Sequence, residues 1–230
     1  MYDPRALLAS VDTNPVLFLA LGAFAMVFNY SFFAEAIRAG RRDKAFALPL
    51  TVSTAWFAHD ISFVFRGGEW FGTYQHWYVE LFWVALIPTS AFELLFIWQV
   101  WKYGKDEIFP SGTRAQYAWL LVGSVVAGLI IWYAAKEMLG DPIYIFTFGG
   151  VASLGVAYGI RRTATRGNAT GQSALLWGAF TCMLITWYTA VFLFFGPVFQ
   201  TPAQFLLEAF SIGGGAFLTV WTARLNGKLT

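Results

Sequence analysis

The chain has 230 residues, of which 58% are hydrophobic and only 12% charged, with a mean hydropathy of +0.57 and a formal net charge of +2. Soluble domains run near 25% charged, so this composition excludes an ordinary soluble enzyme and leaves no basic, soluble surface for nucleic acid. It points to an all-α integral membrane protein in one domain, residues 1–230, with room for about seven crossings at ~20 residues each. The first residues, MYDPRALLASVDTNP, are polar and acidic, unlike the basic n-region and apolar core of a signal peptide. Seven apolar segments follow, at 15–38, 45–66, 74–103, 114–136, 142–162, 172–196 and 203–225, joined by short polar or Gly/Pro-rich connections. The third is long for one crossing and carries Pro88, whose ring removes a helical hydrogen bond.

Orientation follows from the cations. Arg38, Arg41, Arg42, Lys44, Lys102, Lys105, Arg114, Arg161, Arg162, Arg166, Arg224 and Lys228 fall on one side, and Arg5, Arg66 and Lys136 on the other. Positive charge is retained on the cytoplasmic side, so the N-terminus is expected outside and the C-terminus in the cytoplasm. A faint echo links TAWFAHDISFVF in the second segment with ITWYTAVFLFF in the sixth. It suggests two parallel three-helix units joined by helix 4, an arrangement known in transporters with the site between the repeats.

The segment that organises the rest is 45–66, AFALPLTVSTAWFAHDISFVFR, because it places His59 and Asp60 inside an apolar crossing. An Asp at the bilayer centre costs roughly 2.5–3.5 kcal/mol on insertion scales, so such a residue reads as functional with a partner nearby. Glu80, Glu93 and Glu208 also fall inside segments. Counting ~1.5 Å per residue from the outer ends puts Asp60, Glu80 and Glu208 at a common depth, with Glu93 deeper. Neighbouring carboxylates in so dry a medium cannot all be ionised, and one kept as the acid is a proton donor. The alternative for each is a structural hydrogen bond to another helix. Glu35, three residues before Arg38, reads as an interfacial ion pair, and His76 as an interfacial hydrogen bonder on the face of Glu80.

Aromatic residues make up 20% of the chain. Many suit the membrane interfaces, and Trp56, Tyr78, Trp83, Trp187 and Tyr188 suit a pocket lined by π faces. No HExxH or comparable repeated ligand motif is present, and His76-x-x-x-Glu80 alone supplies two donors on one face, so no metal and no cofactor is expected. The single Cys182 excludes an internal disulfide and reads as a small packing residue. A G-x-S-x-G nucleophile motif is absent, and the last segment has no Lys for a retinal Schiff base. The FGG at 148–150 and GGG at 213–215 read as close helix contacts.

The stretch NYSFFAEAIRAGRRDKAFALPLTVSTAW, residues 29–56, resembles the first two spans of the membrane-integral terpene cyclases of fungal meroterpenoid and indole-diterpene pathways. Asn29-Tyr30, the basic loop, Leu48-Pro49-Leu50 and Trp56 carry the likeness, with Trp221 and Arg224 near the end. The family's Glu after the Trp is Phe57 here, and its Asp in the last span aligns with Gly213. The resemblance implies a seven-helix cyclase or isomerase that starts a carbocation reaction on a lipophilic isoprenoid by protonation. Asp60 would be the acid, His59 or Glu80 would set its state, and Glu93 or Glu208 would be partner acid or final base. The aromatic residues would stabilise the cation, and membrane lipid would be the second partner. A proton-coupled small-solute transporter of three-plus-one-plus-three helices is the competing expectation.

Overall fold

A computed structural model describes residues 2–227, except the side chains of 146 and 147, and among them the chain forms ten α-helices and one 3-10 turn. Lys228, one of the cations counted above, lies outside the described residues. No strand occurs among the described residues. A short α1 (Pro4–Val11) precedes α2 (Pro15–Asp43), which starts at an Asn14 side-chain cap with Pro15 at its first position. Helix α2 stops where Lys44 turns left-handed, at φ 50°. Helix α3 (Leu50–Phe65) is followed at once by the short α4 (Gly67–Tyr74), then by α5 (Trp77–Tyr103) and the single turn α6 (Lys105–Ile108). A Thr113/Gln116 capping box opens α7 (Arg114–Leu139), and left-handed glycines end α7 at Gly140 and α8 (Ile145–Arg166) at Gly167. The last two helices are α9 (Ala174–Phe194), capped by Ser173, and α10 (Pro202–Leu225), capped by Thr201.

Five of these helices, α2, α5, α7, α9 and α10, are long and apolar enough to cross a membrane, which identifies the chain as an integral membrane protein. Helix α3 has 16 residues, ~24 Å at ~1.5 Å each, short of a ~30 Å core, and α8 carries Arg161, Arg162 and Arg166 in its last turns. Both lie where the sequence places a segment, so the described residues hold seven helices of 16 residues or more.

Helix α9 occupies the centre, with Leu176, Phe180, Leu184, Tyr188 and Val191 buried, and packs chiefly against α2 and α10. Helix α3 packs against α5 and α7, and α8 against α10. Helix α2 packs far more on α9 than on α5. Glycines set the closest approaches. A Cβ at Gly155 would lie 2.9 Å from the Trp56 ring, and one at Gly215 would lie 2.5 Å from the Thr181 hydroxyl oxygen. Within FGG and GGG, Gly149, Gly214 and Gly215 each face a neighbouring helix, whereas Gly150 and Gly213 face open space.

At the basic end, side chains tie distant segments together. Glu35 accepts from Arg38 at 2.5 and 2.8 Å, as its spacing predicts, and also from the Ser173 hydroxyl at 2.6 Å. Asp43 accepts from the Gly171 N–H at 2.7 Å. Arg162 is 6% exposed and donates to the carbonyls of Phe46 and Ala47, with its guanidinium 4.1 Å from the Phe46 ring centre. Cys182 faces outward from α9 instead of packing inside, because α9 turns its other face to α2 and α10.

Candidate functional site

Between α2, α3, α5, α8 and α9 lies a cavity of about 300 Å³. Its wall is mostly apolar: Phe33 of α2, Trp56 of α3, Tyr78 and Phe82 of α5, Phe148 of α8, and Phe180 and Trp187 of α9. Aromatic clusters lie at both ends. At the end where α1 and α4 lie, Phe18 meets Tyr78 edge-on at 4.9 Å and Phe194 at 5.3 Å, and sits 6.0 Å from Phe195. At the basic end, Phe33 meets Phe96 at 5.3 Å, Phe32 meets Phe180 at 5.0 Å, and Trp56 stacks on Phe180 at 5.9 Å. The side between α2 and α5 is open. Leu19 and Leu81 line the cavity yet are 42% and 48% exposed, and small residues, Gly22, Ala23 and Ala85, stand between them.

The polar groups gather on the wall made by α3 and α5. His59 and Asp60 are buried, with His59 Nδ1 2.7 Å from Asp60 Oδ1. Thr89 donates its hydroxyl to Asp60 Oδ2 at 2.6 Å. Both carboxylate oxygens of Asp60 are thus engaged, which leaves His59 Nε2 as the ring atom without a partner. Glu93 is 2% exposed, one helical turn beyond Thr89 on the same face of α5, and its Oε2 has no partner. The arrangement therefore joins two carboxyl groups, a hydroxyl and an imidazole on one wall of a mostly apolar cavity. Asn29 of α2 lines the same space.

The sequence-derived set divides. His59, Asp60, Glu93, Trp56, Tyr78 and Trp187 line the cavity. Glu80 does not: it is exposed on the outer face of α5. Glu208 does not either, and is held by Gln204 of its own helix at 2.8 Å. Trp83 turns away to donate its indole N–H to the Val64 carbonyl at 2.8 Å, fastening α5 to the end of α3. Tyr188 is buried outside the cavity, near Gly149 of α8. The common depth expected for Asp60, Glu80 and Glu208 fails for a definite reason. Helix α3 hands over to α4 after 16 residues, and Asp60 sits level with Thr89, twelve residues or ~18 Å into α5 and well past Glu80. His76 bonds Asp12 at 3.2 Å and caps α5 by accepting the Tyr78 N–H.

Sequence reading missed Thr89, which fixes the orientation of Asp60; its place four residues before Glu93 was the available signal. Among the described residues no three metal-ligating side chains cluster. No protein-family model matches the chain, and neither the curated proteins nor the solved structures contain a match to it.

Proposed function

We propose that the chain is a membrane-embedded cyclase or isomerase that acts on an isoprenoid by acid-initiated carbocation chemistry, with no cofactor, seven crossings, the N-terminus outside and the C-terminus cytoplasmic. The observation that carries this reading is a mostly apolar cavity flanked by aromatic clusters, open sideways between α2 and α5, with carboxyl groups on its inner wall. A lipophilic substrate would enter from the bilayer through that side.

The chemistry follows from the wall. Glu93 presents an oxygen with no bond to break before it meets a substrate. Its O–H protonates an alkene carbon or an epoxide oxygen; in the epoxide case one C–O bond cleaves and the oxygen stays on its other carbon as a hydroxyl. A neighbouring double bond then attacks the cationic carbon, forming the ring bond. The last cation loses a proton from an adjacent carbon to a carboxylate, so the net change is an isomerisation. Asp60, held by His59 and Thr89, returns the proton to Glu93. Trp56, Phe82, Phe180 and Trp187 offer π faces to the cation, and exclusion of water prevents its capture.

The second reading, a proton-coupled transporter, draws on one observation: α3 packs on α5 much as α9 packs on α10, as two parallel repeats would. One experiment separates the two. Membranes holding the protein are incubated with linear prenyl alcohols and their terminal epoxides, and products of unchanged mass are sought by chromatography and mass spectrometry. Cyclic isomers absent from Glu93→Gln membranes support the enzyme. Proton-driven solute uptake into vesicles with no isomer formed refutes it.

A further inference from the structure

The cavity wall holds more polar groups than bond to one another. His59, Asp60 and Thr89 are joined at 2.7 and 2.6 Å, and the His59 ring lies against Trp132 and Tyr144 at 4.9 and 5.3 Å. Glu93 is buried with its Oε2 unpaired. Asn29 of α2 lines the same cavity, and among the described residues its side-chain amide has no hydrogen-bond partner. An amide carries two N–H donors and a carbonyl acceptor, and turning it to an apolar space without partners is unfavourable. A ligand atom that bonds it removes that cost.

Asn29 stands at the level of the acids, on the neighbouring helix. Helices α2 and α5 run side by side in the same direction. Phe18 of α2 meets Tyr78 of α5 edge-on at 4.9 Å, and Phe33 of α2 lies 5.6 Å from Phe92 and 5.3 Å from Phe96. Eleven residues on from Phe18 is Asn29, and eleven on from Tyr78 is Thr89. Asn29 is therefore level with Thr89 and within about one turn of Glu93. Tyr30, the next residue, donates to the Ala85 carbonyl at 3.3 Å and ties the two helices together there. The Tyr78 hydroxyl is also unpaired, but Tyr78 starts ~16 Å further back along α5 and belongs to the other end of the cavity.

We propose that Asn29 and Glu93 form a clamp for one uncharged oxygen, a hydroxyl, carbonyl or epoxide, on an otherwise apolar ligand. The clamp rests on the reading of this cavity as the substrate site and deepens it, by naming the group that meets Glu93. The oxygen accepts from the Asn29 NH₂ and from the Glu93 O–H, one lone pair to each. A hydrocarbon at that level leaves the amide unpaired and binds less well. A charged head is disfavoured as well. Among the described residues no Lys or Arg lines the cavity, whereas two carboxyl groups do. A phosphate or diphosphate would lose its water there without gaining a cation. The apolar remainder of the ligand lies along Met26, Phe82, Met183 and Trp187.

The test measures binding and needs no turnover. The full chain in lipid nanodiscs is incubated with a tritiated linear prenyl ketone, and empty nanodiscs correct for what dissolves in lipid. The matching hydrocarbon and the matching prenyl diphosphate compete as unlabelled probes. The ketone should bind about tenfold tighter than the hydrocarbon, the worth of a hydrogen bond, and the diphosphate should compete no better than the hydrocarbon. Asn29→Leu has no bond within the protein to lose. It should unfold at the wild-type temperature, weaken the ketone about tenfold and leave the affinity for the hydrocarbon unchanged. Glu93→Gln keeps a donor and should hold the ketone within a few-fold. Equal loss of ketone and hydrocarbon in Asn29→Leu makes residue 29 a packing residue and overturns the clamp. Tightest binding by the diphosphate, or no saturable binding of any probe, overturns it too. If the ketone binds as expected and no cyclic isomers form from prenyl alcohols or epoxides, the clamp stands and the cyclase reading falls.

Discussion

Replacing Asp60 by Asn separates the chemistry of this residue from its structural role. In the native protein Asp60 receives two short hydrogen bonds, from His59 at 2.7 Å and Thr89 at 2.6 Å. An Asn can keep both. Its carbonyl oxygen accepts from Thr89, and its NH₂ donates to His59 Nδ1 once the ring adopts the other tautomer. What is lost is charge assistance. A hydrogen bond to a charged group is worth ~1.5–3 kcal/mol and a neutral one ~1, so two such exchanges cost about 1–4 kcal/mol. The single Thr89 proton has an alternative acceptor in the Leu86 carbonyl at 2.9 Å, which brings the expected cost toward the lower figure. Asp60→Ala leaves the His59 ring nitrogen unsatisfied in a buried wall and should be the less stable variant. Turnover behaves differently. Asn carries no transferable proton, so the rate should fall ~10²–10⁴-fold, equal to ~3–5.5 kcal/mol in the barrier. The assay pairs thermal unfolding in detergent with product formation from prenyl epoxides in native membranes. Asp60→Asn should unfold a few degrees early and be nearly inactive. Full activity in a normally folded Asp60→Asn protein would remove Asp60 from the mechanism.

Four further outcomes are expected. Glu93→Gln should fold normally and abolish even a single turnover, measured by rapid quench, whereas Asp60→Asn should slow only the reloading of the acid; the reverse order would exchange their roles. Gly22→Trp fills a position with nothing within 4 Å, so it should express normally while raising KM or blocking turnover at the side opening, and unchanged kinetics would place the entrance elsewhere. Gly215→Ala brings a Cβ to 2.5 Å from the Thr181 oxygen and should destabilise the α9–α10 contact by ~1–3 kcal/mol, read by thermal unfolding. The Asp12 carboxyl is held below its usual range, first by the Trp77 indole N–H and then by His76. A carboxylate depressed in the folded state stabilises above its unfolded value and loses that contribution as pH falls through the folded one. The α1–α5 clasp should therefore loosen in acid, seen as a change in Trp77 emission that Asp12→Asn removes.

The helices were largely legible because their signal is local. Runs of apolar residues between Asn14-Pro15, Thr113, Ser173 and Thr201-Pro202 fix most helix starts, and caps act over a few residues. Depth was not legible. Asp60 and Glu80 stand level only if α3 runs on unbroken past Phe65, and the sequence RGGEWFGTY instead folds into α4 with Trp70 wholly buried. Direction around a helix was legible only in part. Tyr78, Phe82, Thr89 and Glu93 share one face of α5, while Glu80 points outward. The spacing of apolar residues cannot distinguish these faces when lipid-facing and buried side chains are equally apolar. Which aromatic rings meet across helices depends on packing between distant segments, so Trp83 and Tyr188 could not be separated from Trp56 and Trp187 in advance.

The Arg162 clasp has a consequence for how the chain is made. Its guanidinium is bonded to the Phe46 and Ala47 carbonyls in the turn between α2 and α3, yet it lies more than a hundred residues later. During synthesis α2 and α3 leave the ribosome long before α8 exists, so those two carbonyls begin life without their final donor. The early hairpin must wait, loosely joined, for the second half of the bundle to arrive and lock it. Premature termination before Arg162 would then yield membrane-inserted fragments whose first turn is open to membrane-protein quality control, and a full-length Arg162→Ala chain would display the same mark.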